Sequence, residues 1–185
     1  MNAPALPTRL RSWANARTAL GTLTGGLVFI TIFELWLSPW LKDHMGGERL
    51  LDLMPWRTPA DIDAALSASG ESGRTFYRRV LLVDLLFPLV YVPPLALSVA
   101  FTAPKLQRLR RFAHILPLLP IAGGLFDWGE NASLLVQVSQ FPDHTDMVSW
   151  IAWAMTLLKF VALGSAVVII VFGLWIHWSG RDKLP

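Results

Sequence analysis

Met147–Trp178, MVSWIAWAMTLLKFVALGSAVVIIVFGLWIHW, decides the class of this protein. One base, Lys159, interrupts a run that is apolar up to its closing His177-Trp178. A helix rises about 1.5 Å per residue, so about 20 residues cross the ~30 Å of hydrocarbon in a bilayer. The run is longer than that, which predicts a tilted helix or one continuing beyond the bilayer as an amphipathic end.

The rest of the chain agrees. Its 185 residues are 54% hydrophobic and only 16% charged, with a mean hydropathy of +0.47, too apolar for a soluble domain of this size. Three further apolar segments of spanning length run from Ala19 to Trp40, Val80 to Phe101 and Phe112 to Val138. The expected fold is all-α: an integral membrane four-helix bundle, residues 1–185 as a single membrane domain, with a long outer loop at 41–79 containing a short helix. His114, Pro117, Pro120 and Gly123-Gly124 predict a kinked or loosened first half for the third span.

Lys and Arg positions set the orientation. Arg9, Arg11 and Arg17 precede the first span, Lys105, Arg108, Arg110 and Arg111 separate the second from the third, and Arg181 and Lys183 follow the fourth. The turn between spans three and four carries Asp143 and Asp146 and no base. The positive-inside rule therefore places both termini and the second loop in the cytoplasm. The bases of the outer loop, among them Arg49, Arg57 and Arg74, are balanced there by Glu48, Asp52, Asp61 and their neighbours. The net charge of +3 thus reads as attraction to anionic lipid headgroups and implies no nucleic acid. The first apolar run is too long for a cleavable signal and contains Glu34. With no cysteine, disulfides, thiolate metal sites and thiol exchange are excluded.

In the outer loop, Thr58-Pro59-Ala60-Asp61 reads as an N-cap with proline at the first helical position, followed by an apolar face of Ile62, Ala65 and Leu66. The helix should end near Gly70, with Glu71-Ser72-Gly73-Arg74 as a turn. It either forms a lid or simply closes the loop.

Five ionisable groups lie within the apolar segments: Glu34, Asp84, Asp127, Glu130 and Lys159. Each costs roughly 2.5–3.5 kcal/mol on insertion scales, so each needs a partner, a proton or a task. Counted from the helix ends, Glu34 and Asp84 are shallow, while Asp127, Glu130 and Lys159 lie roughly 12–18 Å in. Asp127 and Glu130 are three residues apart on one helix face, with Asn131 a turn from Asp127. Two carboxylates that close in a low dielectric require a shared proton or a cation, and Lys159 is the cation available. It should point at the pair. The same contact, read structurally, is a polar clamp holding the register of spans three and four. Around Asp84, Pro88 and Tyr91 follow at helical spacings of four and three, and Pro93-Pro94 should disrupt the next turn, freeing carbonyls. Such broken helices line cavities in transporters, and they also occur in inert bundles, where Asp84 would pair with Arg78 or Arg79.

Other signals fail. Asn131-Ala132-Ser133 matches a glycosylation sequon but lies inside a span. Gly21, Gly25 and Gly26 form a weak helix-contact pattern. The four histidines are scattered with no ligand spacing, so no metal is expected, and no motif implies a cofactor. Most tryptophans suit interfacial belts; Trp128, beside Asp127, is placed to wall a pocket.

Taken together, Gly73-Arg74 and Tyr77 before the second span, Asp84 with Pro88 and Tyr91 inside it, and Asp127-Trp128-Gly129-Glu130-Asn131 in the third resemble a recurrent pattern of small bacterial four-span membrane proteins of unassigned activity. More loosely, the chain is similar to the EXPERA group of sterol isomerase and sigma-receptor-like proteins, whose intramembrane acids bind a cationic ligand or move protons. The isomerases' histidine and glutamate spacing is missing here, and their reaction is not carried over.

Three functions remain. The first is binding or moving a small amphiphile, lipid headgroup or proton, with membrane lipids as partners. The residues for it are Asp127, Glu130, Asn131, Lys159, Asp84, Glu34, Tyr91, Trp128 and Arg74. The second is a structural or assembly subunit; the third is an acid/base lipid-modifying enzyme. A void lined by Trp128, Tyr91 and the acids favours a ligand, and Lys159 packed flush against the acids favours the clamp.

Overall fold

The computed structural model describes residues 12–45, 51, 57–143 and 145–180. Arg9, Arg11, Glu48, Arg49, Asp52, Arg181 and Lys183, used above for orientation and loop charge, lie outside the described residues, as does His144. The described residues form helices and no strand. We number them α1 (Ala16–His44), α2 (Pro59–Ala68), α3 (Gly70–Asp84), α4 (Phe87–Thr102), α5 (Leu118–Gln140) and α6 (Asp146–Trp178). Three helices are long and apolar enough to cross a membrane: α1, the run Gly70–Lys105 that contains α3 and α4, and α6. The chain is thus an all-α membrane protein by the length and composition of its helices. Much of what these helices expose is apolar, including Leu27, Ile30, Leu35 and Trp36 on α1 and Val168, Phe172 and Trp175 on α6. Hydrocarbon accepts such faces without the penalty that water would impose.

The fifth helix, α5, is long enough to span but falls outside that set. The cause is local. Asp127, Glu130, Asn131 and Gln137 recur at helical spacing and are all buried, while Leu125, Trp128 and Val136 are exposed. Its inward face is polar and its outward face apolar, the reverse of a helix in a water-soluble protein.

Several boundaries differ from the sequence expectation. The helical part of the second segment starts at Gly70, so the expected outer loop 41–79 is shortened at both ends by α1 and α3. Glu71–Arg74, expected as a turn, is the first turn of α3. α2 and α3 meet at Ser69-Gly70, where Gly70 takes φ +63°, a conformation that glycine adopts without a Cβ clash. The third segment is helical from Leu118, not Phe112; Arg110–Phe112 is a 3-10 turn, and regular α-helix begins one residue after Pro117. In the second segment the helix breaks at Leu85-Leu86, between α3 and α4, not at Pro93-Pro94, which α4 runs through. Pro88 cannot donate to the Asp84 carbonyl and sits comfortably in the first turn of the helix that restarts at Phe87.

The chain divides into two units. One comprises Met1–Leu27, Leu89–Gly123 and Val161–Pro185. Its core is Ala19, Leu95, Val99, Ala103, Ala166, Ile169, Ile170 and Leu174, with Tyr91 packed at its margin. Gly173 lets α6 approach Thr102: a Cβ there would lie 2.8 Å from the Thr102 carbonyl oxygen.

The other unit comprises Val28–Pro88 and Gly124–Phe160. Its core gathers Leu41 and Met45, Ile62, Ala65 and Leu66 of α2, Tyr77 and Leu81 of α3, Leu134 and Val138 of α5, and Ala152 of α6. The apolar face expected on α2 is therefore fully used in the core. Thr58 and Asp61 close a capping box at its start: Asp61 N–H donates to Thr58 Oγ1 at 3.3 Å, and Thr58 N–H donates to Asp61 Oδ2 at 2.6 Å.

Candidate functional site: a buried charge cluster

The second unit contains the polar cluster. On α5, Asp127, Glu130 and Asn131 share one face, and on α6 so do Ser149, Ala152, Thr156 and Lys159, all buried. Two helices with such stripes bury them against each other, because hydrocarbon leaves an unpaired polar group several kcal/mol worse off.

Lys159 meets the acid pair as the spacing predicted. Its Nζ donates to Asp127 Oδ1 at 3.0 Å and lies 2.5 Å from Glu130 Oε2. Further along the same faces, Gln137 Nε2 donates to Ser149 Oγ at 3.1 Å.

The second cation is Arg57. Its residue exposure is 1%, and its Nη2 donates to Glu130 Oε1 at 3.0 Å and to Thr156 Oγ1 at 2.9 Å. Nη1 donates to the Leu51 carbonyl, and Thr156 Oγ1 donates to Glu130 Oε1. The order of charges is Asp127, Lys159, Glu130, Arg57, alternating in sign and summing to zero. Alternation is the arrangement that makes burial of four charges tolerable, since each one faces only opposite neighbours. Loop counting assigned Arg57 to a solvated, self-balanced segment. The signal against that was the cation deficit of the spans, four acids to one lysine, which required a base from elsewhere.

Asp84 stands apart. No ion pair reaches it among the described residues; its Oδ2 accepts a hydrogen bond from Asn131 Nδ2 at 2.7 Å. Arg78 and Arg79, its expected partners, make no such bridge. Asn131 is fully buried, and its Oδ1 accepts no hydrogen bond among the described residues. The charges that act on Asp84 come from Asp127, Lys159 and Glu130. Beside it, the Leu85 carbonyl at the helix break accepts the Trp128 indole N–H at 2.8 Å. Trp128 thus covers the break.

Arg74 and Glu34 make no ion pair with the cluster among the described residues. Arg74 Nη1 donates to the Leu66 carbonyl at 2.8 Å and its guanidinium lies 4.6 Å from the centre of the Phe141 ring, so it secures the end of α2. Glu34 is exposed on a π-helical turn, Phe33–Leu37, within α1. Tyr91 belongs to the other unit, packed at the margin of its core. Thr156 was missed, although it lies one turn before Lys159 on the same face. Among the described residues no group of three or more His, Asp or Glu side chains is placed to hold a metal ion.

What the fold and cluster define is a class, a helical membrane protein with an ion-paired polar interior. Compared with protein-family models, curated proteins and solved structures, the chain gives no match.

Proposed function

We propose that this chain is a multi-pass protein of the bacterial inner membrane, crossing four times with both termini cytoplasmic. Its task in this reading is to bind or move a proton, or the cationic end of a small amphiphile, at Asp84 and Asn131. One observation carries the proposal: four buried charges neutralise one another, while half-buried Asp84 makes no ion pair among the described residues. An acid without an ion-pair partner inside a bilayer is stable when it holds a proton or meets a cation. The unoccupied acceptor of Asn131 offers an incoming donor a second contact. The Asp127–Lys159–Glu130–Arg57 chain is then the frame that holds Asn131 in place. The resemblance to small four-span bacterial proteins supports the location.

The test compares the protein with Asp84→Asn in lipid nanodiscs. The expected result is a protonated-carboxyl infrared band that grows on acidification and is absent in Asp84→Asn, or a copurifying cationic amphiphile that the variant loses. A folded Asp84→Asn variant with an unchanged spectrum and unchanged copurifying molecules would falsify the proposal. That outcome would establish the second reading, in which the cluster is purely a clamp. The flush contact of Lys159 with both acids favours that reading.

A further inference from the structure

Away from the charge cluster, α3 carries a second arrangement of polar groups that nothing above uses. Glu71, Ser72, Thr75, Phe76 and Arg79 line a shallow, widely open depression of about 600 Å³ on the surface of α3. Glu71, Thr75 and Arg79 follow one another at intervals of four, so they occupy one face of the helix. Glu71 and Arg79 are both exposed, and neither makes a hydrogen bond or ion pair among the described residues. An acid and a base facing one depression without bridging it leave both charges to a ligand of the opposite polarity order.

The surroundings specify what kind of ligand. Phe76 packs against Trp40 at 5.5 Å and His44 at 5.1 Å between ring centres, an aromatic group of the sort that sits at headgroup level. Continuing along the face at spacings of three and four from Arg79, the next residues are Leu82 and Val83, exposed by 52% and 70%, and Leu86 follows just past the helix break, exposed by 63%. This helix lies in the run Gly70–Lys105, apolar enough to cross a membrane. Polar groups of both signs therefore give way to bare aliphatic surface along one stripe.

We propose that this stripe is a binding site for a phospholipid whose headgroup carries a primary amine, phosphatidylethanolamine. The Arg79 guanidinium takes the phosphate through paired N–H donors, and the Glu71 carboxylate takes the ammonium, with Ser72 and Thr75 hydroxyls as further partners. The acyl chains lie on Leu82, Val83 and Leu86. Phosphatidylglycerol has no cation for Glu71. Phosphatidylcholine has a cation but no N–H to donate to it.

The experiment offers the purified full chain an equal mixture of the three phospholipids with identical acyl chains and counts retained lipids by native mass spectrometry. Phosphatidylethanolamine is expected to exceed phosphatidylcholine by roughly two- to fivefold. Glu71→Gln should erase that preference, and Glu71→Lys should turn it toward phosphatidylglycerol. Arg79→Gln should lower retention of all three by about fivefold. Both side chains are exposed, so these variants keep the fold. Equal retention of the three lipids by the parent chain, or a preference that survives Glu71→Gln, overturns the assignment. Glu71→Gln should leave the Asp84 carboxyl infrared band unchanged, which separates this site from the one at Asp84.

Discussion

At the level of single residues, the cluster turns on Arg57. Its guanidinium is fully buried, and it supplies one of the two cations that hold Glu130. Removing one member of a buried ion pair leaves the other as an uncompensated charge, typically a loss of about 3–5 kcal/mol. Arg57→Met should therefore lower the unfolding free energy in detergent by about that amount. Adding Glu130→Leu should recover most of it, because Lys159 then retains Asp127 alone. Arg57→Lys should rescue poorly, since an ammonium cannot reach Glu130, Thr156 and the Leu51 carbonyl as a planar fork does. Chemical unfolding of the four proteins checks all three expectations. The pairing of Lys159 with Asp127 and Glu130 was legible in the sequence, because helical spacing puts the two acids on one face and only one base lay within the spans. Arg57 was not legible, because its burial depends on where a loop folds back and no local pattern records that.

Among the elements, α2 is the one whose formation the local sequence describes most completely. Thr58, Pro59 and Asp61 start it, and Ile62, Ala65 and Leu66 bury it. Thr58→Ala should cost about 1 kcal/mol of local stability, read as reduced hydrogen-exchange protection across Pro59–Ala68. The same cap is sensitive to acid. Asp61 accepts hydrogen bonds from the backbone N–H and hydroxyl of Thr58, which hold its carboxyl below the ordinary carboxylate range. A lowered value in the folded state means that the contribution is fully present above the unfolded carboxylate range and is lost as pH falls through the folded value. Protection of α2 should therefore decline on acidification, and Asp61→Asn should flatten that dependence. Against this, α3 and α4 were misread at their ends. Prolines mark several candidate break points, and the break falls at Leu85-Leu86, where the Trp128 indole is present to satisfy a carbonyl. That donor arrives from α5, forty-three residues away in sequence.

For the whole molecule, the number of crossings sets on which side each terminus lies. If α5 crosses along with the three apolar helices, both termini share one side; if it does not, they lie on opposite sides. The absence of cysteine makes this a clean measurement. Single cysteines placed at Thr18, Asp143 or Ser179 should react with a membrane-impermeant maleimide from the cytoplasmic side at Thr18→Cys and Ser179→Cys, and from the opposite side at Asp143→Cys. Labelling of Thr18→Cys and Ser179→Cys from opposite sides would exclude four crossings. The low hydropathy of α5 is no obstacle to crossing, since its polar residues are those buried within its own unit.

The amino-acid sequence by itself determined that the protein is helical, that its long apolar runs suit a membrane, and that its intramembrane acids concentrate on α5. These properties sum over neighbouring residues, and helical periodicity carries them without knowledge of distant partners. The tertiary structure decided which charges meet: Arg57 enters the cluster, Asp84 bonds Asn131, and Glu34 stays exposed on α1. The reason is electrostatic. In a low-dielectric interior each charge is stable only beside its opposite, and that pairing is settled by the packing of segments far apart in the chain.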